Sequence, residues 1–219
     1  MDWIEWADWY RRIVADLELD PARDREAAAV LKELSIHCQD GLLALERAIR
    51  GKEANIFGPA PFPPENFSKA LKITAGAATE QLIRIDEWPD IVVTDLDGDV
   101  QAQVEANRRG AIAVIHAHGD NVDALREWVP KFTPPVVCTT QCEPIEGIFN
   151  FGGFTDGDRA VFLAAHFGAS RIILRGFDFE NPVGKQRSDR ARKMKKLDYA
   201  RQLIDHAAMS YGIEIQGHA

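Results

Sequence analysis

The chain has 219 residues, 46% of them hydrophobic and 27% charged, with a formal net charge of −8 at pH 7. That length suits one sizeable α/β core with an appendage. No apolar run reaches the roughly eighteen residues of a membrane span, and the acidic, aromatic start "MDWIEWADWYRRI" is unlike a secretory signal, so a cytoplasmic protein without a membrane partner is expected. The negative charge argues against a nucleic-acid binder, because duplex binding draws on many Lys and Arg contacts to phosphate.

Residues 1–51 read as a helical segment. Trp3, Trp6, Trp9, Tyr10, Ile13, Val14 and Leu17 recur at spacings of three and four, and residues 23–49 continue with a similar period in Ala, Leu and Glu. Such a stripe is the pattern of burial against a domain, so the tryptophans are expected to be scaffold. Residues 52–219 change texture to short β-branched runs that alternate with helical stretches. Strands are predicted at "ANIFG", "LKITAG", "IVVTDL", "AIAVIHAH", "PVVCTT", "GIFNFG" and "RIILRG". A last helix over 188–211 has its apolar side at Met194, Leu197, Ile204 and Tyr211, and "IEIQ" is a candidate edge strand. The alternation predicts an α/β fold: a mostly parallel open sheet with helices on both faces, preceded by the helical segment.

In such a sheet ligands bind beyond the carboxyl ends of the strands. Polar clusters follow those ends here: "DLDGD", "HAHGDN", "TTQ", "GGFTDGD" and "GFDF". Asp95 and Asp97 are two apart on extended chain, so they leave the same face and can converge on a hard divalent cation. Asp99, just before a helical stretch, is a natural N-cap. Thr155 and Asp158 match a capping box, with Gly168 as the closing glycine. Asp156, in the first turn of that helix, serves either the helix dipole or a metal. His116 and His118 form an H-x-H pair, but no third histidine ends another strand, which argues against a zinc hydrolase. His118 is a candidate to face a ligand, and for His116 a place inside the sheet is an equal alternative. Asp120 and Asn121 either cap the next helix or touch ligand, and Thr139, Thr140 and Gln141 suit an amide-rich heterocycle. Cys138 and Cys142, separated by three residues, read as core or loop thiols.

Taken in order, "TDLDGD", "HAHGDN", "TTQ", "NFGGFTDGDRAVFLAAHFGA", "GFDF" and "KMKKLDYARQLI" resemble the archaeal 6-hydroxymethyl-7,8-dihydropterin pyrophosphokinase family, and with "WIEWADWYRRI" the resemblance covers nearly the whole chain. That family is similar in its core to thiamin pyrophosphokinases. Two stretches depart from its pattern: "GPAPFPPENF", where a tighter Gly-Pro-Ser turn is usual, and Ala75, where an aspartate is common.

The resemblance implies an ATP-dependent transfer of diphosphate to the hydroxymethyl oxygen of a reduced pterin, with release of AMP, in tetrahydropterin coenzyme biosynthesis (folate or methanopterin). Magnesium would be held by Asp95 and Asp97, with Asp156 or Asp120 completing the shell. ATP and pterin would meet His118, Asp120, Asn121, Thr139, Thr140, Gln141, Thr155, Lys185 and Arg187. The basic run "GKQRSDRARKMKK" offers Lys185, Arg187, Arg192, Lys193 and Lys196 to a triphosphate, with a solvated helix face as the plainer reading for about half of them. Two alternatives stand beside it: a haloacid-dehalogenase-type phosphohydrolase with Asp95 as nucleophile, invited by "DLDG" after an apolar strand, and a thiamin pyrophosphokinase. A homo-oligomer is compatible with the chain.

Overall fold

The structure is a computed structural model that describes residues 1–34, 41–65, 67, 70–181 and 190–217. Three helices open the chain: α1 (Trp3–Leu17), α2 (Pro21–Leu34) and α3 (Gly41–Ile49). The sheet follows, with β1 (Glu53–Phe57), β2 (Leu71–Ala75), β3 (Ile91–Thr94), β4 (Ile112–Ala117), β5 (Val136–Thr140), β6 (Arg171–Arg175) and β7 (Ile215–Gln216). Between them lie α4 (Ala78–Arg84), α5 (Val100–Arg108), α6 (Val122–Trp128), α7 (Asp156–His166) and α8 (Arg190–Tyr211).

The strands form one sheet in the order β5-β4-β3-β2-β1-β6-β7, and every pairing is parallel. Every residue of β2, β3, β4 and β5 is buried, which requires cover on both faces and explains why their sequences are mainly apolar, with the few polar residues buried too. β6 instead alternates buried and half-buried residues near the sheet edge. The core is continuous with the amino-terminal helices: Trp6, Tyr10, Ile13 and Leu17 of α1 and Ala27, Ala28 and Leu31 of α2 belong to the same buried cluster as the strands. Among the described residues no helix is long and apolar enough to cross a membrane.

The strand expected at 147–152 does not form. That stretch makes only single bridges, Thr139 with Phe149 and Ile145 with Ile148. Gly147, Gly152 and Gly153, at φ of 80°, 92° and 91°, turn the backbone left-handed on either side of it and leave too little extended chain for a ladder. The seventh strand is β7, at "IEIQ". The last helix also buries a different set from the one its sequence suggested: Tyr199, Ala200, Leu203, Ile204 and Ala207 are buried, whereas Met194, Leu197 and Tyr211 are half-exposed. α8 packs chiefly on α7 and α1.

The crossover from β5 to β6 positions the site. α7 contacts β1, β2, β3 and β6 as it returns across the sheet. Its amino terminus therefore arrives beside the carboxyl end of β3.

Candidate active site

β3 ends at Thr94, whose buried hydroxyl accepts from Leu96 N at 2.8 Å and donates to Gln103 Oε1 of α5 at 2.7 Å. Gln103 returns a bond from Nε2 to the carbonyl of Asp97 at 2.8 Å. Between the two acids Leu96 is left-handed, with φ 67° and its side chain buried. Asp95 and Asp97 therefore converge through a pinned turn, not along an extended strand as their spacing suggested. Asp99 caps α5 as expected, accepting from Ala102 N at 3.0 Å.

Asp156 comes from the start of α7, which Asp158 secures by accepting from Phe154 N at 2.6 Å and Thr155 N at 2.8 Å. The Thr155 hydroxyl also bonds Asp158. Asp156 Oδ2 accepts from Asp95 N at 3.3 Å, and Oδ1 accepts from Arg159 Nη1 at 3.0 Å. Carboxylate oxygens of Asp95, Asp97 and Asp156 all lie within 4.8 Å of one another. Asp95 Oδ1 is buried and accepts no hydrogen bond among the described residues. Space is kept open by Gly76, at the end of β2, where a Cβ would fall 2.9 Å from Asp156 Oδ2 and 3.2 Å from Asp97 Oδ1. Three hard oxygen donors around a pocket that a methyl group would fill match the chemistry of a magnesium site.

The charges are arranged to need a cation. Burial works against ionised Asp95, but the hydrogen bond from His118 and the charge of Arg159 outweigh it and hold its pKa below the usual carboxylate value. Asp97 is pushed up to about 6 by desolvation and then by the neighbouring charge of Asp95. Asp156 is raised well above its ordinary value by burial, and next by Asp95. Like charges at this spacing favour protonation unless a cation intervenes.

His118 Nε2 is 3.4 Å from Asp95 Oδ2, while its Nδ1 accepts from Asp120 N at 3.3 Å, an arrangement that leaves the ring proton on Nε2. Asn121 is a strap between strand ends: Nδ2 donates to the carbonyls of Asp95 and His116, both at 2.8 Å, and Oδ1 accepts from His118 N at 3.1 Å. It makes no side-chain cap to α6. Asp120 is exposed and pairs with Arg23 at 3.3 Å, and it is not one of the three clustered acids. His116 takes the second of its two readings and lies inside the sheet, with Nδ1 3.0 Å from Thr139 Oγ1, and burial pushes its pKa well down.

Thr139, Thr140 and Gln141 are buried behind the rim. Thr139 donates to the carbonyl of Ile115, the Thr140 hydroxyl is 3.2 Å from Cys142 Sγ, and Gln141 lies between Asp24 and Arg159. Lys185 and Arg187 lie outside the described residues. Lys196 of the same basic run reaches the site: Nζ stands 5.7 Å from the Phe154 ring, and burial, then the charge of Arg192, lowers its pKa. Sequence reasoning missed Arg159, Gly76 and Asp24. Arg159 had a signal, standing three residues after Asp156 on one helix. Asp24 had none.

The family described as "6-hydroxymethylpterin diphosphokinase MptE-like" matches residues 64–184. The chain is 41% identical over 219 residues to the 6-hydroxymethyl-7,8-dihydropterin pyrophosphokinase of Pyrococcus furiosus, a match that covers 94% of each chain. It is 39% identical to the protein of that name from Methanothermobacter thermautotrophicus, over 96% of this chain and 97% of the other. For the Methanocaldococcus jannaschii protein the identity is 36%, over 98% and 99%. With a strand-end acid pair, an opposing helix-start aspartate and matches along nearly its whole length, the chain belongs to the 6-hydroxymethylpterin diphosphokinase MptE-like family.

Proposed function

We propose that this protein transfers diphosphate from ATP to the hydroxymethyl oxygen of 6-hydroxymethyl-7,8-dihydropterin and releases AMP, a step in building a tetrahydropterin coenzyme. The observation that carries the reading is the near full-length identity to relatives bearing that name, combined with the converging Asp95, Asp97 and Asp156. Membership of a diphosphokinase family places it above the phosphohydrolase alternative, in which Asp95 would attack phosphorus. The relatives' names favour a pterin over thiamin as acceptor.

Asp95, Asp97 and Asp156 would hold magnesium, which when bound neutralises phosphate charge and withdraws electrons from the phosphorus under attack. His118 keeps Asp95 ionised and oriented, and Arg159 orients Asp156 while working against the burial that raises its pKa. Lys196 adds positive charge at the rim, where an acidic protein meeting a triphosphate needs it. The protein's contribution is positioning and charge balance, because the acceptor hydroxyl is itself the nucleophile.

Purified protein should release AMP and a pterin diphosphate from ATP, magnesium and the dihydropterin. Thiamin, supplied as the sole acceptor, should give neither AMP nor a diphosphate product. AMP release with thiamin alone would overturn the pterin assignment.

A further inference from the structure

Asp24 belongs to α2, outside the acid cluster, and is only 2% exposed. Its carboxylate accepts three hydrogen bonds: Oδ2 from the Tyr10 hydroxyl at 2.6 Å and from Gln141 Nε2 at 2.9 Å, and Oδ1 from Gly119 N at 2.7 Å. Gly119 follows His118, so Oδ1 anchors the loop that brings His118 to Asp95. Only glycine fits there, since a Cβ would approach the Arg23 Cβ to 2.7 Å.

Oδ2 acts on a second arm. The two ends of the Gln141 amide are nearly alike in shape and opposite in hydrogen-bonding sense. A carboxylate only accepts, so Asp24 takes the amide nitrogen and turns Oε1 toward Arg159 Nη2, 3.4 Å away. A guanidinium only donates, so it matches that oxygen and passes another bond from Nη1 to Asp156 Oδ1 at 3.0 Å. The main chain of Gln141 is fixed as well, its carbonyl accepting from Trp6 Nε1 at 2.7 Å. A directional chain, Asp24 to Gln141 to Arg159 to Asp156, thus runs from the amino-terminal helices to the acid cluster.

We infer that Asp24 is a positioning residue for the diphosphoryl transfer: by orienting the Gln141 amide it fixes Arg159, and through it the carboxylate that Asp156 offers to a divalent cation. The inference rests on the reading of the three acids as a metal clamp. It makes the helical segment part of the site's machinery as well as its scaffold.

Asp24→Asn preserves shape but presents a donor to Gln141. The Gln141 amide then turns, and its NH2 faces the Arg159 guanidinium, donor against donor. Adding Gln141→Glu restores an acceptor toward both neighbours. Mn2+ binding to the full chain, by titration calorimetry, and steady-state kinetics would be measured together. Asp24→Asn should weaken Mn2+ binding and lower kcat by about tenfold each, the scale of losing an outer-shell partner, with KM for the pterin changed less than about twofold. The double variant should recover most of both losses. Tyr10→Phe, which removes a donor from the same Asp24 oxygen without touching Gln141, should lower the melting temperature and leave Mn2+ affinity alone.

If Asp24→Asn does not fold, Gln141→Met carries the test, because it leaves Asp24 its bonds from Tyr10 and Gly119 while removing the acceptor that Arg159 faces. Wild-type Mn2+ affinity in either folded single variant, or a double variant no better than Asp24→Asn, overturns the inference. A wild-type chain that takes up no Mn2+, or whose uptake ignores Asp97→Asn, removes the metal reading itself.

Discussion

His118 Nε2 and Asp95 Oδ2 stand 3.4 Å apart with Nδ1 of the same ring turned to Asp120 N, so one imidazole holds one carboxylate in a fixed tautomer at the end of β3. A hydrogen bond to a charged group contributes about 1.5–3 kcal/mol. His118→Ala should therefore slow AMP release by roughly tenfold to a hundredfold at neutral pH. His118→Gln, whose amide can reach the position of Nε2, should recover part of the loss. Equal rates for the two variants would exclude this role for the ring.

The two neighbouring acids of "DLDGD" do different work. Asp97→Asn removes a converging oxygen donor and should cut turnover by about a hundredfold or more with the fold intact. Asp99→Asn should do little, because asparagine caps a helix about as well as aspartate and the Asp99 side chain serves as that cap, accepting from Ala102 N. Circular dichroism melts and AMP-release rates on both variants check the contrast. Similar, mild losses from both would reject the clamp.

How far the sequence carried is clearest where it went astray. Strand texture was legible because parallel strands buried on both faces are continuous apolar runs, and "IVVT" and "IAVIHA" could be little else. "GIFNFG" has the same texture, but flanking left-handed glycines allow it only a bridge to Thr139. The pairing of Asp95 with Asp97 was visible from spacing, although the turn at Leu96, not an extended strand, brings them together. Asp24 was illegible for a different reason. Its partners are 14, 95 and 117 residues away, and no local pattern marks an acid whose role is set by such distant groups.

The raised pKa of Asp97 makes stability depend on pH in a defined direction. Its folded value is about 6 against an ordinary 3.8, so between those values the unfolded chain has released a proton that the folded chain keeps. Stability then falls as pH rises through this window, and is fully present only below the unfolded value. Asp156 is shifted the same way, whereas the lowered Asp95 works oppositely and only below its ordinary value. In EDTA, the melting temperature should therefore carry a declining component between about pH 4 and pH 6 that Asp97→Asn removes. Saturating magnesium should flatten it. An unchanged pH profile in the variant would show that Asp97 titrates normally.

Gly76 supplies a test of the site that touches no carboxylate. An alanine there would place its Cβ 2.9 Å from Asp156 Oδ2 and 3.2 Å from Asp97 Oδ1, inside the space between the acids, on a backbone with φ of 46°. Left-handed backbone alone costs a side chain about 1 kcal/mol, so lost stability would be uninformative by itself. Gly51→Ala is the control: its φ is 72°, and nothing lies within 4 Å of its would-be Cβ. Both variants should melt earlier than the wild type. Only Gly76→Ala should lose Mn2+ uptake and AMP release, because only there does the methyl group force two of the three acids apart. Normal metal uptake by a folded Gly76→Ala protein would mean that the cation sits elsewhere than between Asp97 and Asp156.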